Sequence, residues 1–327
     1  MQSQASSESM PGQGSAVNAA DDSEAYARCM ETSRRLQWDL ERDVIRGRGL
    51  SPDKKFLPDG ISKVMSLSFL QPAEQVLLSQ VQGRTYAHMF GMFERFIGIK
   101  VLDLCRGYAL SDQTALQALV RFVDEELKHQ EMFRRIEQKA ARMMPPGYRF
   151  VLPVIDVTLS VLGRSTWAVL ALACQLELFT QAHYRESVES GSQVCPLYKD
   201  VFLYHWRDEA QHALIDELEW QRENNRLSAA QREQAVDDLI YLMHVVDDLV
   251  QLQTKADVDY FMRINGRLFS EAEKSALQRC VLKAYRWQYI VAGVQDIHFS
   301  QILGRMVTVE HAARIAQTLA KFEAIPV

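Results

Sequence analysis

Two short tetrads carry the chemistry of this chain, Glu126-Leu-Lys-His129 and Glu209-Ala-Gln-His212. Each sets a carboxylate and an imidazole three residues apart, and on a helix such a pair projects from one face. Each tetrad also has a lone glutamate upstream in another helix-like stretch, Glu94 before the first and Glu177 before the second. The step from Glu94 to Glu126 equals the step from Glu177 to Glu209. One Glu from each of two helices, with Glu-x-x-His from each of two others, is the ligand set of a carboxylate-bridged two-metal site in a four-helix bundle. Only two of the eight histidines have a glutamate at this offset.

Exposed Glu–His pairs would add only a few tenths of a kcal/mol of helix support. The neighbours argue against exposure. On the face of Glu94 lie Ala87, Phe90, Gly91, Ile97, Gly98 and Val101, and on that of Glu126 lie Leu119, Phe122, Val123 and Phe133. A carboxylate among such residues points into a core, where it needs a cation or a close partner to remain ionised.

A third histidine joins the second tetrad. His205 precedes Glu209 by four residues, and at about 100° per residue His205, Glu209 and His212 fall within roughly 60° of helix arc. His205 is therefore a candidate seventh ligand or a wall of the pocket. Asp208 and Glu125 each precede a ligating glutamate, and ligating histidines donate their other N–H to such carboxylates. Asp208 is favoured over Glu125 for that duty, and Asp216, four residues after His212, is a further candidate. Phe90, Phe122, Phe133, Thr180, Tyr184, Phe202 and Trp206 are expected to line a pocket at the metals or to pack as plain core. His88, His183, His244, His298 and His311 fall outside the pattern.

Four carboxylates with two or three imidazoles and no thiolate suit iron or manganese. Their four negative charges nearly balance two divalent cations. Bridging carboxylates hold such ions about 3.5–4 Å apart. An iron pair of this kind binds dioxygen and cleaves it in two-electron steps, while the protein holds the ligands and excludes water.

These side chains need rods to hold them. Residues 1 to about 20, rich in Ser, Gln, Gly and Ala, read as a disordered tail. Helices are expected from about Asp22 to Ile45, from Ala73 to Cys105 behind Pro72, and from a Ser111 cap to Met144, where Pro145-Pro146-Gly147 ends the last. An apolar helical region follows over 150–190 with a break near Gly163. Further helices are expected from Pro196 to Asn225 and over 228–263, 270–304 and 309–324. The class is all-α, one helical domain over 21–327 with the metal-binding bundle at 73–225 and accessory helices at 228–327. Four separate helices thus carry the donors.

The bulk numbers are those of an ordinary globular chain: 327 residues, 47% hydrophobic, 24% charged, net charge −5. No Lys/Arg block points to nucleic acid as a partner. Five cysteines form no C-x-x-C pair, which suits a reduced cytoplasmic compartment. Neither a signal peptide nor an apolar stretch long enough to span a membrane is evident.

Over residues 73–225 the set Glu94, Glu126-x-x-His129, Glu177, Glu209-x-x-His212 resembles the ferritin-like di-iron carboxylate superfamily. His205, one turn before Glu209, resembles the p-aminobenzoate N-oxygenase (arylamine oxygenase) branch, where an added helix histidine binds one iron. The resemblance implies a non-haem di-iron oxygenase of secondary metabolism that activates dioxygen as a peroxo di-iron species and oxygenates the nitrogen of a small aromatic amine. It also implies a reductant or electron-donor protein, and a homodimer is expected. Ribonucleotide reductase fits poorly, because Phe133 stands where that family has its radical tyrosine. The alternatives are a di-iron hydroxylase or desaturase of an aliphatic chain, and a metal or ligand binder without turnover.

Overall fold

The computed structural model describes residues 14–188 and 193–324. Among them there is no strand, only an isolated parallel bridge between Lys55 and Val194. Ten helices carry the architecture: α1 (Gly14–Arg35), α2 (Pro72–Cys105), α3 (Gln113–Met143), α4 (Val154–Leu162), α5 (Thr166–His183), α6 (Pro196–Arg226), α7 (Ala229–Asn265), α8 (Glu271–Arg286), α9 (Ile297–Met306) and α10 (Val309–Glu323). The all-α expectation holds.

Local chemistry sets the ends. Pro72 opens α2 behind a reciprocal Gln71–Glu74 cap, and Pro196 opens α6. Ser228 with Gln231 caps α7, which stops at Gly266 with φ of 82°, a left-handed turn that suits glycine. Three expected boundaries move. Asp112, not Ser111, caps α3: its Oδ1 accepts from Thr114 N at 2.9 Å and Ala115 N at 3.1 Å, while the Ser111 hydroxyl turns back to Gly107 O. The first helix stops at Arg35 instead of Ile45, because Asp39 caps a separate π-helical turn, Leu40–Ile45. The expected 270–304 helix is three pieces, divided by a π-helical turn at Trp287–Val291 and a new start capped by Asp296. Of the expected tail, residues 1–13 lie outside the described residues, and from Gly14 the chain is helical.

The bundle is two close pairs, α2 on α3 and α5 on α6, joined through α3 on α6 and α2 on α5. The two remaining seams are covered. Helix α1 lies across α3 and α6, and α7 lies across α2 and α5, with α8 stacked on α7. This coverage explains why the middle of α2 is buried on every side, Leu78 to Ala87 included. Polar residues there tie down the loop that precedes it. Ser79 Oγ bonds both N and O of Leu57, and Gln80 Nε2 donates to Pro52 O and Lys54 O at 2.9 Å.

Just beyond the Trp287–Val291 turn, Gly293 lets the chain touch α5. A Cβ there would meet Gln175 Cγ at 2.3 Å and Gln175 O at 2.8 Å. Backbone cannot yield as a side-chain tip can. Gly293→Ala should therefore destabilise by roughly 1–3 kcal/mol, the usual cost of overpacking, read as a lower urea midpoint at unchanged slope. An unaltered midpoint would show that α5 moves aside freely.

Candidate metal centre

The bundle axis gathers the donors. Glu94 (α2), Glu126 and His129 (α3), Glu177 (α5) and His205, Glu209 and His212 (α6) are all at least 96% buried. Two overlapping quartets have one ligand atom per residue within 4.8 Å of one another: Glu94, His129, His205, Glu209 and Glu126, His129, Glu209, His212. His129 and Glu209 belong to both. Glu209 Oε1 lies 2.5 Å from His205 Nε2 and 3.3 Å from His129 Nδ1, and its Oε2 lies 2.9 Å from His212 Nδ1. Glu126 Oε1 faces His212 Nδ1 at 2.9 Å, and Glu94 Oε1 faces His205 Nε2 at 3.0 Å. Glu177 stands outside both quartets but beside them, with its carboxyl hydrogen-bonded to Glu209.

Six atoms of this set have no hydrogen-bond partner: Glu94 Oε2, both oxygens of Glu126, Glu209 Oε1, His129 Nδ1 and His205 Nδ1. Orphaned buried carboxylate oxygens are costly unless a cation satisfies them. Hard oxygen donors with imidazole nitrogens fit a pair of first-row transition-metal ions. Without metal, protons stand in. Burial opposes the His129 and His212 cations, but the Glu209 charge outweighs it together with hydrogen bonds to Asp208 and Glu94 for His129 and to Glu125 and Glu209 for His212, which brings the two up to about 9 and about 10. Burial, then the Glu209 charge, holds Glu177 well above the carboxylate range. Burial also opposes the Glu209 carboxylate, yet His205 and then His212 hold it well below that range.

The outer partners cross over. His129 Nε2 bonds Asp208 Oδ2 at 3.2 Å, and His212 Nε2 bonds Glu125 Oε2 at 3.1 Å. The acid before each ligating glutamate thus orients the histidine of the other tetrad. Both acids make such a contact, Glu125 as well as the favoured Asp208. Both exchange pairs are reinforced in parallel ways. Lys128 Nζ lies 3.0 Å from Asp208, and Gln211 Nε2 donates to Glu125 at 3.4 Å. From the α1 side, Trp38 Nε1 donates to Asp208 Oδ2 at 2.8 Å and Ser33 donates to Glu125. Two further amides stitch the helix pairs at ligand backbones, Gln130 to Glu94 O at 3.3 Å and Gln181 to Glu209 O at 3.0 Å. Asp216 takes no such part: both its oxygens are buried without a partner, and burial holds it well above the carboxylate range.

Lys128 and Gln211 had a sequence signal, since the tetrads extend to pentads, Glu125-Glu126-Leu-Lys-His129 and Asp208-Glu209-Ala-Gln-His212. Ser33 and Trp38 had none. Asp208→Asn and Glu125→Gln should each weaken metal binding about 10- to 100-fold, as outer partners of ligating histidines do. Chelator competition measures this, and unchanged affinity in both variants would make the acids bystanders.

Around the centre, Phe122 stacks on His212 with centroids 4.0 Å apart, while Phe90 and Phe133 meet His205 edge-on at 5.2 and 4.9 Å. Phe202 packs on Tyr86 at 5.0 Å. Tyr184 and Trp206 stack on each other at half-buried positions, and Thr180 donates back to Leu176 O. Of the histidines left aside, His88, His298 and His311 face Glu137, Glu217 and Glu233, and His244 meets Phe322. His183 has neither ring nitrogen bonded, and burial pushes it down to about 3.

No protein-family model matches this chain, and no curated protein does. Among solved structures it is similar to R2-like ligand-binding oxidases. One is a mutant with a non-activated Mn/Mn cofactor, at 17% identity and TM-score 0.40, covering 82% of this chain and 91% of that one. A second mutant, with an aerobically reconstituted Mn/Fe cofactor, has 17% identity, TM-score 0.39 and coverage of 82% and 92%. A third, with an anaerobically reconstituted Mn/Fe cofactor, has 14% identity, TM-score 0.39 and coverage of 92% of each chain. No described helix is long and apolar enough to cross a membrane.

Proposed function

We propose that this chain is a dioxygen-activating di-metal oxygenase, with iron as the first choice and manganese as the alternative, that oxygenates the nitrogen of a small aromatic amine. The observation that carries the reading is the place of His205 inside the first quartet, within 3.0 Å of Glu94 and 2.5 Å of Glu209. An aliphatic hydroxylase of the same superfamily needs no such donor. When bound, the two ions would supply dioxygen binding and its two-electron reduction. Glu94, Glu126, Glu177 and Glu209 would hold them and neutralise their charge. His129 and His212, each locked by a cross-paired acid, would present Nδ1 inward. Phe90, Phe122 and Phe133 would keep water from the centre, so that the reacting groups sit in a low dielectric. An external reductant is part of this proposal, as are a reduced cytoplasmic setting and a homodimer.

The His205→Ala variant tests the reading. It should retain most of the iron but show a changed optical spectrum and a slower reaction with oxygen in the presence of aromatic amines. Wild-type spectra and rates would reduce His205 to a pocket wall. A second reading, oxidation of an aliphatic chain, draws on one feature. An almost wholly apolar groove of about 380 Å³ runs between α2, α3 and α4, lined by Ile99, Leu102, Val123, Leu127, Ile155 and Leu159. Oxygen uptake stimulated by medium-chain fatty acids and not by arylamines would favour it.

A further inference from the structure

Away from the metal ligands, a buried carboxylate on α7 has collected three donors. Asp257 is fully buried. Its Oδ2 accepts from Thr85 Oγ1 at 2.6 Å and from the Tyr285 hydroxyl, and its Oδ1 accepts from Gln253 Nε2 at 2.8 Å. Among the described residues no cation forms an ion pair with it, and burial pushes it up to about 7, with the three hydrogen bonds and the more distant Arg84 charge opposing that rise. The chain of bonds continues outward, since Tyr148 OH lies 2.8 Å from Thr85 Oγ1 and Tyr148 is half-buried. Tyr285 is therefore a phenol with a base in contact and a hydroxyl relay behind the base.

Inward from Tyr285 the rings run toward the metals. Tyr285 and Tyr289 have centroids 5.9 Å apart, and Tyr289 and Tyr86 are 6.4 Å apart. Tyr86 stacks on Phe90 at 4.3 Å, and Phe90 meets His205 at 5.2 Å. Tyr86 and Tyr289 are fully buried, and neither hydroxyl has a partner. A phenol with no acceptor cannot release its proton, so an oxidising equivalent does not settle on either ring. The Trp287–Val291 π-helical turn carries Tyr289 into this line, and Gln175 Nε2 donates to the Tyr289 and Ile290 carbonyls at 3.3 and 3.1 Å. Such turns inside helices are frequent at functional sites.

We propose that Tyr86, Tyr289 and Tyr285 form an exit for oxidising equivalents, ending at Tyr285 because Asp257 takes its proton. The proposal rests on the di-metal oxygenase reading for its oxidant. When the reduced metal pair has reacted with dioxygen and no substrate is bound, one electron passes from Tyr285 through Tyr289 and Tyr86 to the oxidised centre. The Tyr285 phenolic proton moves to Asp257 Oδ2, leaving a neutral tyrosyl radical, a protonated carboxyl and a centre one electron more reduced. A thiol-class reductant then returns one electron, the proton comes back from Asp257 Oδ2 to the Tyr285 oxygen, and the thiol releases its own proton to solvent and is left as a thiyl radical, two of which close as a disulfide. The centre is thereby spared from oxidising its own ligands.

The test uses the full chain in two arms. In the first, reduced iron-loaded protein is mixed with oxygen without substrate and freeze-quenched for electron paramagnetic resonance. An organic radical that narrows with ring-deuterated tyrosine is expected. Tyr285→Phe and Asp257→Asn should lower its yield on the order of tenfold or more, the scale on which a positioned base acts. Tyr289→Phe removes only an unbonded hydroxyl, costs no hydrogen bond and should also lower the yield. An oxygen-consuming wild type with no tyrosyl radical, or a radical indifferent to all three changes, overturns the exit and leaves the oxygenase reading intact. In the second arm, metal-free protein is oxidised by azide radicals in pulse radiolysis. The long-lived tyrosyl absorbance should be lost in Tyr285→Phe and shortened in Asp257→Asn. Equal lifetimes overturn the proposal even where the metal reading itself has failed through lack of oxygen uptake.

Discussion

Glu209→Ala protein, reconstituted with ferrous iron, is expected to retain little metal where the parent chain takes about two ions. Glu209 is one of two residues common to both quartets, and its oxygens lie 2.5 Å from His205 and 2.9 Å from His212. Removing it opens both metal positions at once. It also strands the imidazolium groups whose protonation its charge supports, and an uncompensated buried charge costs about 3–5 kcal/mol. The loss of oxygen reactivity should exceed the roughly 10- to 100-fold typical of outer partners. Metal analysis, oxygen uptake and far-ultraviolet circular dichroism measure the three effects. Glu209→Gln separates them, keeping volume while removing charge. If either variant binds two ions as tightly as the parent, the centre is not where these residues converge.

The second large effect is a pair of opposed pH slopes. His129 and His212 sit at about 9 and about 10 in the metal-free fold, above the ordinary 6.5. Groups raised in this way stabilise the fold fully below pH 6.5 and lose that contribution as pH climbs through 9 and 10. Each unit of displacement is about 1.4 kcal/mol, so the combined displacement of about six units sets an upper bound of about 8 kcal/mol on the loss. Metal-free protein should therefore melt at progressively lower temperature from about pH 7 to 10. The loaded protein should behave oppositely, because ions displace both protons and metal affinity rises with pH until the imidazoles are neutral. Calorimetry in buffers of different ionisation enthalpy should record at least two protons released per loaded chain near neutrality, from His129 and His212, with a further one from Glu177, whose carboxyl burial holds protonated. Parallel melting curves for the two forms, or binding without proton release, would mean that the imidazoles are already neutral in the metal-free fold or are not the ligands.

Much of this centre was legible in the order of the residues. The two tetrads and two lone glutamates named the donors, because helix geometry alone turns a three-residue spacing into a shared face. The His205 spacing likewise required only a helix. The long helices followed from Pro72, Pro196, Ser228 and the Pro145-Pro146-Gly147 stop, all of which act on adjacent backbone. Boundaries failed where two neighbouring residues competed for one cap, as Ser111 and Asp112 did, or where a π-helical turn interrupts a continuous apolar pattern, as at Trp287–Val291. Hydrophobic periodicity barely registers one extra residue per turn.

What the sequence determined by itself was the kind of rods and which faces of them carry the six candidate donors and His205, since each of those facts is local to a few turns of helix. Only the tertiary structure decided who faces whom. It set Asp208 on His129 and Glu125 on His212 across the bundle, brought Ser33 from α1 and Trp38 from just beyond it onto those acids, left Asp216 without the imidazole it was offered, and drew Tyr285 onto Asp257. These partners are far apart along the chain, and their meeting depends on how whole helices pack, which no local spacing encodes.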